Sequence, residues 1–338
     1  MFEQFMGRYA AALDNTMRQV VGLLPENTPD FSIMVRYPLG WVDEHEQPYE
    51  QSTGKRIRPM FLLLCTEAAG GEWQKALPAA AAVELLHNFS LIHDDIQDDS
   101  PVRHGRPTVW KNWGIANAIN AGDAMFSLAY CALEQLSTTG LPAETILKIW
   151  RVFNQTNLEL TRGQHLDMRF ERQDMVAVSE YVEMISGKSA ALLSACAQIG
   201  ALVAASSDEV AGEYAEFALN LGIAFQIRDD ILGIWGDPDV TGKSVATDIL
   251  SRNKSLPVLY GLERSDELAS LYRHEHMSEA DVAQAVALLD DLGAASYARE
   301  TETHYYEKAL EALEAANPQG RAGDGLRQFV EILFQRVY

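Results

Sequence analysis

Apolar residues recur along this chain at intervals of three and four, and that spacing more than any other feature limits what it can fold into. Phe2, Phe5, Met6, Tyr9, Leu13, Met17, Val20 and Leu24 trace one face of a helix. Similar patterns follow throughout, broken by Gly and Pro at "LPENTPD", "AAGGEW", "STTGLP", "WGDPDVTG" and "NPQGRAGDG". No run alternates convincingly as a strand. The breaks are short and no low-complexity linker separates them, so the expectation is one all-α domain over residues 1–338. With 338 residues, 47% of them apolar, the chain can bury a substantial core.

Charge narrows the function. The 48 acidic and 27 basic residues give a formal net charge of -21, which argues against non-specific binding to nucleic acid or to anionic membrane. A locally positive site for an anionic substrate is still allowed, because exposed charges are screened beyond about 10 Å. Cys65, Cys131 and Cys196 stand singly, with neither a metal spacing nor a disulfide framework. Glu3 falls where a signal peptide carries basic charge, and no stretch reads as a membrane span. A cytoplasmic protein is expected.

Acidic residues are crowded in "LIHDDIQDDS", Leu91 to Ser100, directly after a long apolar run. On a helix, Asp94 and Asp98 share a face and Asp95 lies one residue round from them. Two carboxylates about 4 Å apart repel by roughly 4 kcal/mol at an effective dielectric near 20, so such a cluster needs a counter-charge. Alone it reads equally as a solvated helix end or as a site for a hard cation such as Mg2+. The phrase "FSLIHDD" is echoed by "IAFQIRDD", where Gln226, Asp229 and Asp230 lie three and four apart and Asp237 two turns further on. Two carboxylate walls imply several metal ions and a polyanionic substrate. Lys55, Arg56, Arg58, Arg103, Arg106, Lys188, Lys243 and Lys254, in short Gly-, Pro- or Ser-containing motifs, are then candidate phosphate partners.

An ordered series of segments runs from "GKRIRP" through "ELLHNFSLIHDDIQD", "RHGRPTVW", "NAGDAMFSLA", "TRGQHLDM" and "GKSAALLSACAQIG" to "FQIRDDILGIWGDPDVTGKSVATDI" and "NKSLPVL". This series resembles the trans-isoprenyl diphosphate synthases, or polyprenyl synthetases. The resemblance implies a helical bundle of the isoprenoid-synthase type around a central cavity, and a homodimer. It further implies a reaction in which an allylic diphosphate ionises and isopentenyl diphosphate is added head-to-tail. By the same resemblance, Lys55, Arg58, His87 and His104 hold isopentenyl diphosphate. Asp94, Asp95, Asp98, Asp229 and Asp230 carry Mg2+, three ions in all. Arg103, Lys188, Lys243 and Lys254 grip the allylic diphosphate, and Ser189 and Gln226 supply cation-stabilising oxygens beside Lys188.

Two positions depart from the family pattern. Gly233 stands where many members carry a third aspartate, with Asp237 a candidate replacement, and His104 stands where many carry an Arg. Phe89, five residues before Asp94, is the expected floor for the growing chain. Ser90 lies more squarely beneath the metal face but is too small to block it. By the same resemblance, an aromatic at this position with no second aromatic beside it in the sequence implies a twenty-carbon product, geranylgeranyl diphosphate, with farnesyl diphosphate or longer chains as alternatives. A class I terpene cyclase and a non-catalytic partner subunit are the competing functions. His93 lies off the shared acidic face and is expected to pack, and the pair His274 and His276 lacks a third convergent ligand.

Overall fold

The expected apolar face at the N-terminus forms one helix. In the computed structural model, which describes residues 2–25, 27–49, 56–173, 175–236, 246–274 and 276–334, α1 spans Phe2–Val21. Tyr9, Leu13, Met17 and Val20 are wholly buried along it. Leu13, Met17 and Val20 each contribute about 1.5–3 kcal/mol relative to exposure. The described residues are helical almost throughout, in agreement with the all-α expectation.

The chain divides into two compact units. The first comprises Met1–Val152, Cys196–Ala211 and Asn317–Leu326, and the second Phe153–Ala195, Gly212–Ala316 and Arg327–Tyr338. In the first, α2 (Pro29–Arg36) and α3 (Ile57–Ala68) precede α4 (Leu77–Gln97), the helix that ends in the first acidic cluster. Pro78 sits in the first turn of α4, where its missing N–H costs nothing. Ala79 to Ala82 are fully buried, small enough for neighbouring backbones to approach.

Next come a short β-hairpin and the helices α5 (Val109–Trp113) and α6 (Ile115–Glu134). α6 packs antiparallel to α4, with Phe89 against Phe126 and His93 against Gly122. A Cβ on Gly122 would stand 2.3 Å from His93 Nε2, so only glycine leaves room for the imidazole. The hairpin pairs β1 (Val102–Arg103) with β2 (Arg106–Pro107) and was not expected from the sequence. His104 and Gly105 form its turn at φ of 50° and 75°. Two successive positive φ values are the signature of the tight turn that joins twisted strands, and two residues per strand are too few to show alternation.

In the second unit, α7 (Ala143–Glu171) delivers its C-terminal half, followed by α8 (Val178–Ile185), a π-helical turn at Ser186–Ala190 and the start of α9 (Ala191–Val203). α10 (Asp208–Trp235) buries Ile223, Ile227, Ile231 and Ile234 among residues of α11 (Thr247–Leu250), α12 (Leu256–Leu262), α13 (Asp266–Tyr272), α14 (Glu279–Asp291) and α15 (Ala294–Ala316). The last helix, α16, is Gly320–Phe334. Among the described residues no helix is long and apolar enough to cross a membrane.

Candidate active site

The first acidic cluster occupies the last turn of α4. Asp95 is buried and paired with Arg103, whose Nε donates to Oδ1 at 2.7 Å from the hairpin. Burial pushes the Asp95 carboxyl up, while Arg103 opposes that shift. Asp94 is half-buried and Asp98, which caps the helix, is exposed. They stand one turn apart, with the Asp98 amide donating to the Asp94 carbonyl. The three aspartates therefore differ in setting: one turns inward onto a guanidinium, and two lie a turn apart toward solvent.

Two turns earlier on α4, His87 meets Arg58 of α3, with Arg58 Nη1 3.2 Å from His87 Nε2. A guanidinium can only donate, so Nε2 accepts and the ring proton lies on Nδ1. Burial, then the charges of Arg58 and Arg103, hold the His87 pKa well below its ordinary value. The ring is thus a neutral N–H donor beside a permanent cation. Arg56 enters α3 with a left-handed φ of 43° and is tied to Asp14 Oδ1 at 2.8 Å and to the Leu39 carbonyl. Lys55 lies outside the described residues.

His104 lines a small cavity with Asn88, Asp95, Arg103, Arg106 and Tyr37. The candidate Arg106 is held between Tyr37 and Tyr49, 3.9 and 3.8 Å from their ring centroids, and donates to the carbonyls of Tyr37 and Val42. Below the acidic turn runs a ladder of half-buried rings. Phe89 packs on His93 at 4.7 Å and on Phe126 at 5.0 Å; Phe126 meets Tyr130 at 5.1 Å, and Tyr130 meets Trp150 at 5.6 Å. Because α6 runs antiparallel to α4, this order leads away from Asp94. His93 packs as expected, and the Ser90 hydroxyl donates back to the His87 carbonyl.

The second cluster lies in the second unit, on α10. Asp229 is exposed, whereas Asp230 is only 3% exposed. Its Oδ2 accepts from the Tyr181 hydroxyl and from the Leu256 amide at 3.0 Å, and its Oδ1 from Gln226 Nε2 at 3.2 Å. Burial pushes this carboxyl up to about 7 against those hydrogen bonds. The other end of the Gln226 amide accepts from the Ser189 hydroxyl at 2.8 Å.

Lys188 and Ser189 sit in the π-helical turn, a distortion often found at functional sites. Its position is fixed by backbone touching backbone: a Cβ on Gly163 would lie 2.2 Å from the Lys188 amide nitrogen, and one on Gly187 2.6 Å from the Glu159 carbonyl. Lys188 Nζ pairs with Asp167 of α7. Lys254 Nζ donates to the carbonyls of Phe170 and Gln173 at the end of α7, where a cation is favoured by the orphan carbonyls. Lys243 and Asp237 lie outside the described residues. Sequence reasoning missed Tyr181, Asp167, Phe126 and Asp248; an isolated Tyr or Asp on a helix carries no periodic signal.

The donor set suits a hard cation. Each cluster offers carboxylates on its own helix, and among the described residues no three His, Cys, Asp or Glu side chains converge into a self-sufficient cage. Mg2+ is ordinarily held by one or two carboxylates, with water and substrate phosphates completing its shell.

The comparisons with known proteins identify the family. The family model for polyprenyl synthetases matches residues 41–289. Two relatives come from Mycobacterium tuberculosis. A (2E,6E)-farnesyl diphosphate synthase is 43% identical over 72% of this chain, which spans 66% of that protein's length, and a geranylgeranyl diphosphate synthase is 39% identical over 84% of this chain and 81% of its own length. A polyprenyl synthetase structure from Streptomyces coelicolor superposes with a TM-score of 0.89 at 32% identity, over 98% of this chain and 99% of its own. A geranylgeranyl pyrophosphate synthase from Corynebacterium glutamicum, complexed with isoprenyl diphosphate and magnesium, superposes at 0.79 with 25% identity, over 99% and 98%. The chain belongs to the polyprenyl synthetase family, a family of prenyltransferases.

Proposed function

We propose that this protein is a Mg2+-dependent prenyltransferase that condenses isopentenyl diphosphate head-to-tail with an allylic diphosphate to give geranylgeranyl diphosphate. The observation that carries the reading is the pair that Arg58 of α3 makes with His87 of α4, the helix that ends in the Asp94–Asp98 cluster. Seven residues separate His87 from Asp94, a rise of about 10 Å. A donor pair for one anion therefore stands apart from an acidic end suited to a metal-bound one. A terpene cyclase, with a single diphosphate to bind, has no use for the first.

Asp94, Asp98 and Asp229 are the carboxylates we assign to the metal ions, three in number, because they are the more exposed members of the two clusters whereas Asp95 and Asp230 are buried. Bound there, Mg2+ would neutralise the charge that develops on a departing diphosphate. Arg103, locked to Asp95, and Lys188, held by Asp167, present fixed positive charge for the same leaving group, and fixed charge needs no reorganisation as the bond breaks. Lys243 and Lys254 complete that set in the proposal, Lys254 by releasing the α7 carbonyls. Lys55, Arg58, His87 and His104 hold isopentenyl diphosphate. Gln226 and Ser189 face the allylic cation with oxygen lone pairs, and apolar walls keep water from it.

Product length is assigned to Phe89 backed by Phe126. Phe89 lies about 7.5 Å before Asp94 along α4, and its ring, which has no aromatic next to it in the sequence, is buttressed from α6 by Phe126. The relatives include both farnesyl and geranylgeranyl synthases, so the twenty-carbon assignment rests on these rings. Action as one polyprenyl synthetase domain, in a cytoplasmic homodimer, belongs to the same proposal and rests on the family. Incubating the purified protein with Mg2+, isopentenyl diphosphate and each of dimethylallyl, geranyl and farnesyl diphosphate tests it. Chromatography of the dephosphorylated alcohols is expected to give geranylgeraniol. A cyclised hydrocarbon, or no product, overturns the assignment.

A further inference from the structure

A side-chain amide can present either its oxygen or its NH2 to a neighbour, and a hydroxyl can present either its proton or its lone pairs. Gln226 and Ser189 are both of this ambivalent kind, and a catalytic cation is stabilised by only one end of each. The choice is made by Asp230. In its ionised form its carboxylate accepts and cannot donate, and Oδ2 is already taken by the Tyr181 hydroxyl and the Leu256 amide at 3.0 Å. Oδ1 therefore draws the NH2 end of Gln226, at 3.2 Å, and turns Oε1 the other way. That oxygen captures the Ser189 proton at 2.8 Å, which leaves the lone pairs of Ser189 Oγ on its far side.

From this chain of hydrogen bonds we infer that Asp230 is a positioning residue and not a metal ligand, and that Tyr181 is its anchor. Together they fix the polarity of Gln226 and Ser189 so that both turn oxygen toward the reacting carbon. The inference rests on the prenyltransferase reading and deepens it. Tyr181 is 2% exposed and Asp230 3%, so neither reaches solvent to do anything else. The π-helical turn brings Ser189 to the amide, and α12 supplies the Leu256 N–H through its own first turn.

Asp230→Asn separates the two roles. Asparagine turns its oxygen to Tyr181 and Leu256 and its NH2 to Gln226, which reverses the amide and points NH2 at Ser189. The expected result is a kcat lowered by about a hundredfold, the scale of losing one preorganised dipole, with KM for both substrates nearly unchanged. Calorimetric titration of Mg2+ in the presence of inorganic pyrophosphate should match the wild type, whereas Asp229→Asn should weaken it. Adding Gln226→Glu to Asp230→Asn restores an acceptor for the Ser189 proton and should recover part of kcat. Tyr181→Phe removes one anchor without altering the carboxylate, and a several-fold fall in kcat is expected. Weakened Mg2+ binding in Asp230→Asn equal to that in Asp229→Asn, or full turnover in both Asp230→Asn and Tyr181→Phe, overturns the inference. If the wild-type protein binds Mg2+ with pyrophosphate but transfers no prenyl group, the failure lies in the functional reading.

Discussion

The carboxylate of Asp248 fills the space that a side chain on Gly233 would need. A Cβ built on Gly233 would stand 2.3 Å from Asp248 Oδ2 and 2.5 Å from its Cγ. The position where the family resemblance leads one to expect a third aspartate is thus not simply vacant, because a carboxylate from α11 lies against α10 there. Asp248 also adds to the electrostatic environment of Tyr181 and Asp230.

Restoring the missing aspartate should therefore do harm. Gly233→Asp forces two carboxylates into one space, and overpacking of this kind costs about 2 kcal/mol. Denaturant unfolding of the variant should show that loss, and Gly233→Asp combined with Asp248→Gly should recover most of it. Wild-type stability in the single variant would show that Asp248 moves aside at no cost.

The aromatic ladder predicts graded products. Phe89→Ala should lengthen the chain beyond twenty carbons. Phe126→Ala, which leaves Phe89 without its support, should give a mixture of normal and longer alcohols. One helical turn of four residues rises 6 Å, close to the roughly 5 Å spanned by four bonds of an extended chain. The double variant should then stop at Tyr130 and Trp150. An unchanged distribution from folded, active Phe89→Ala removes this ring as the ruler.

Replacing His104 by Arg should lower KM for isopentenyl diphosphate several-fold, since a permanent bidentate cation replaces a weaker partner. The left-handed backbone at this position, φ 50°, favours His over Arg, so a small stability loss should accompany the gain. A KM that stays the same or rises places His104 away from that diphosphate.

Acid should destabilise the fold through His87. Its folded pKa is lowered, so the unfolded chain binds the extra proton. The associated stability is fully present above the unfolded value near 6.5 and is lost as pH falls below it, by up to about 1.4 kcal/mol per pH unit. Urea unfolding of wild type and His87→Gln should differ by a constant amount above pH 7, and the difference should shift against the wild type on acidification. Parallel curves down to pH 5 would mean that His87 titrates normally.

The fold class was legible because helical amphipathicity is a periodic signal: Tyr9, Leu13 and Met17 were placed correctly by spacing alone. The gathering of Asp94, Asp95 and Asp98 at one helix end was legible too. Their division of labour was not. Whether a carboxylate turns toward solvent or inward depends on which non-local group meets it, and Arg103 and Tyr181 come from elsewhere in the chain. The hairpin at His104 escaped for a different reason, being shorter than any period that could reveal it. The Gly163–Lys188 approach shows only in coordinates, since a glycine does not announce what it touches.

The central claim is that the protein carries out metal-dependent prenyl transfer that needs both acidic clusters, and turnover at saturating Mg2+ tests it most directly. With isopentenyl and farnesyl diphosphates as substrates, Asp94→Asn and Asp229→Asn should each lower turnover by about a hundredfold or more, the scale expected when preorganised charge stabilisation of the leaving group is lost. Turnover equal to the wild type in both variants would contradict the account.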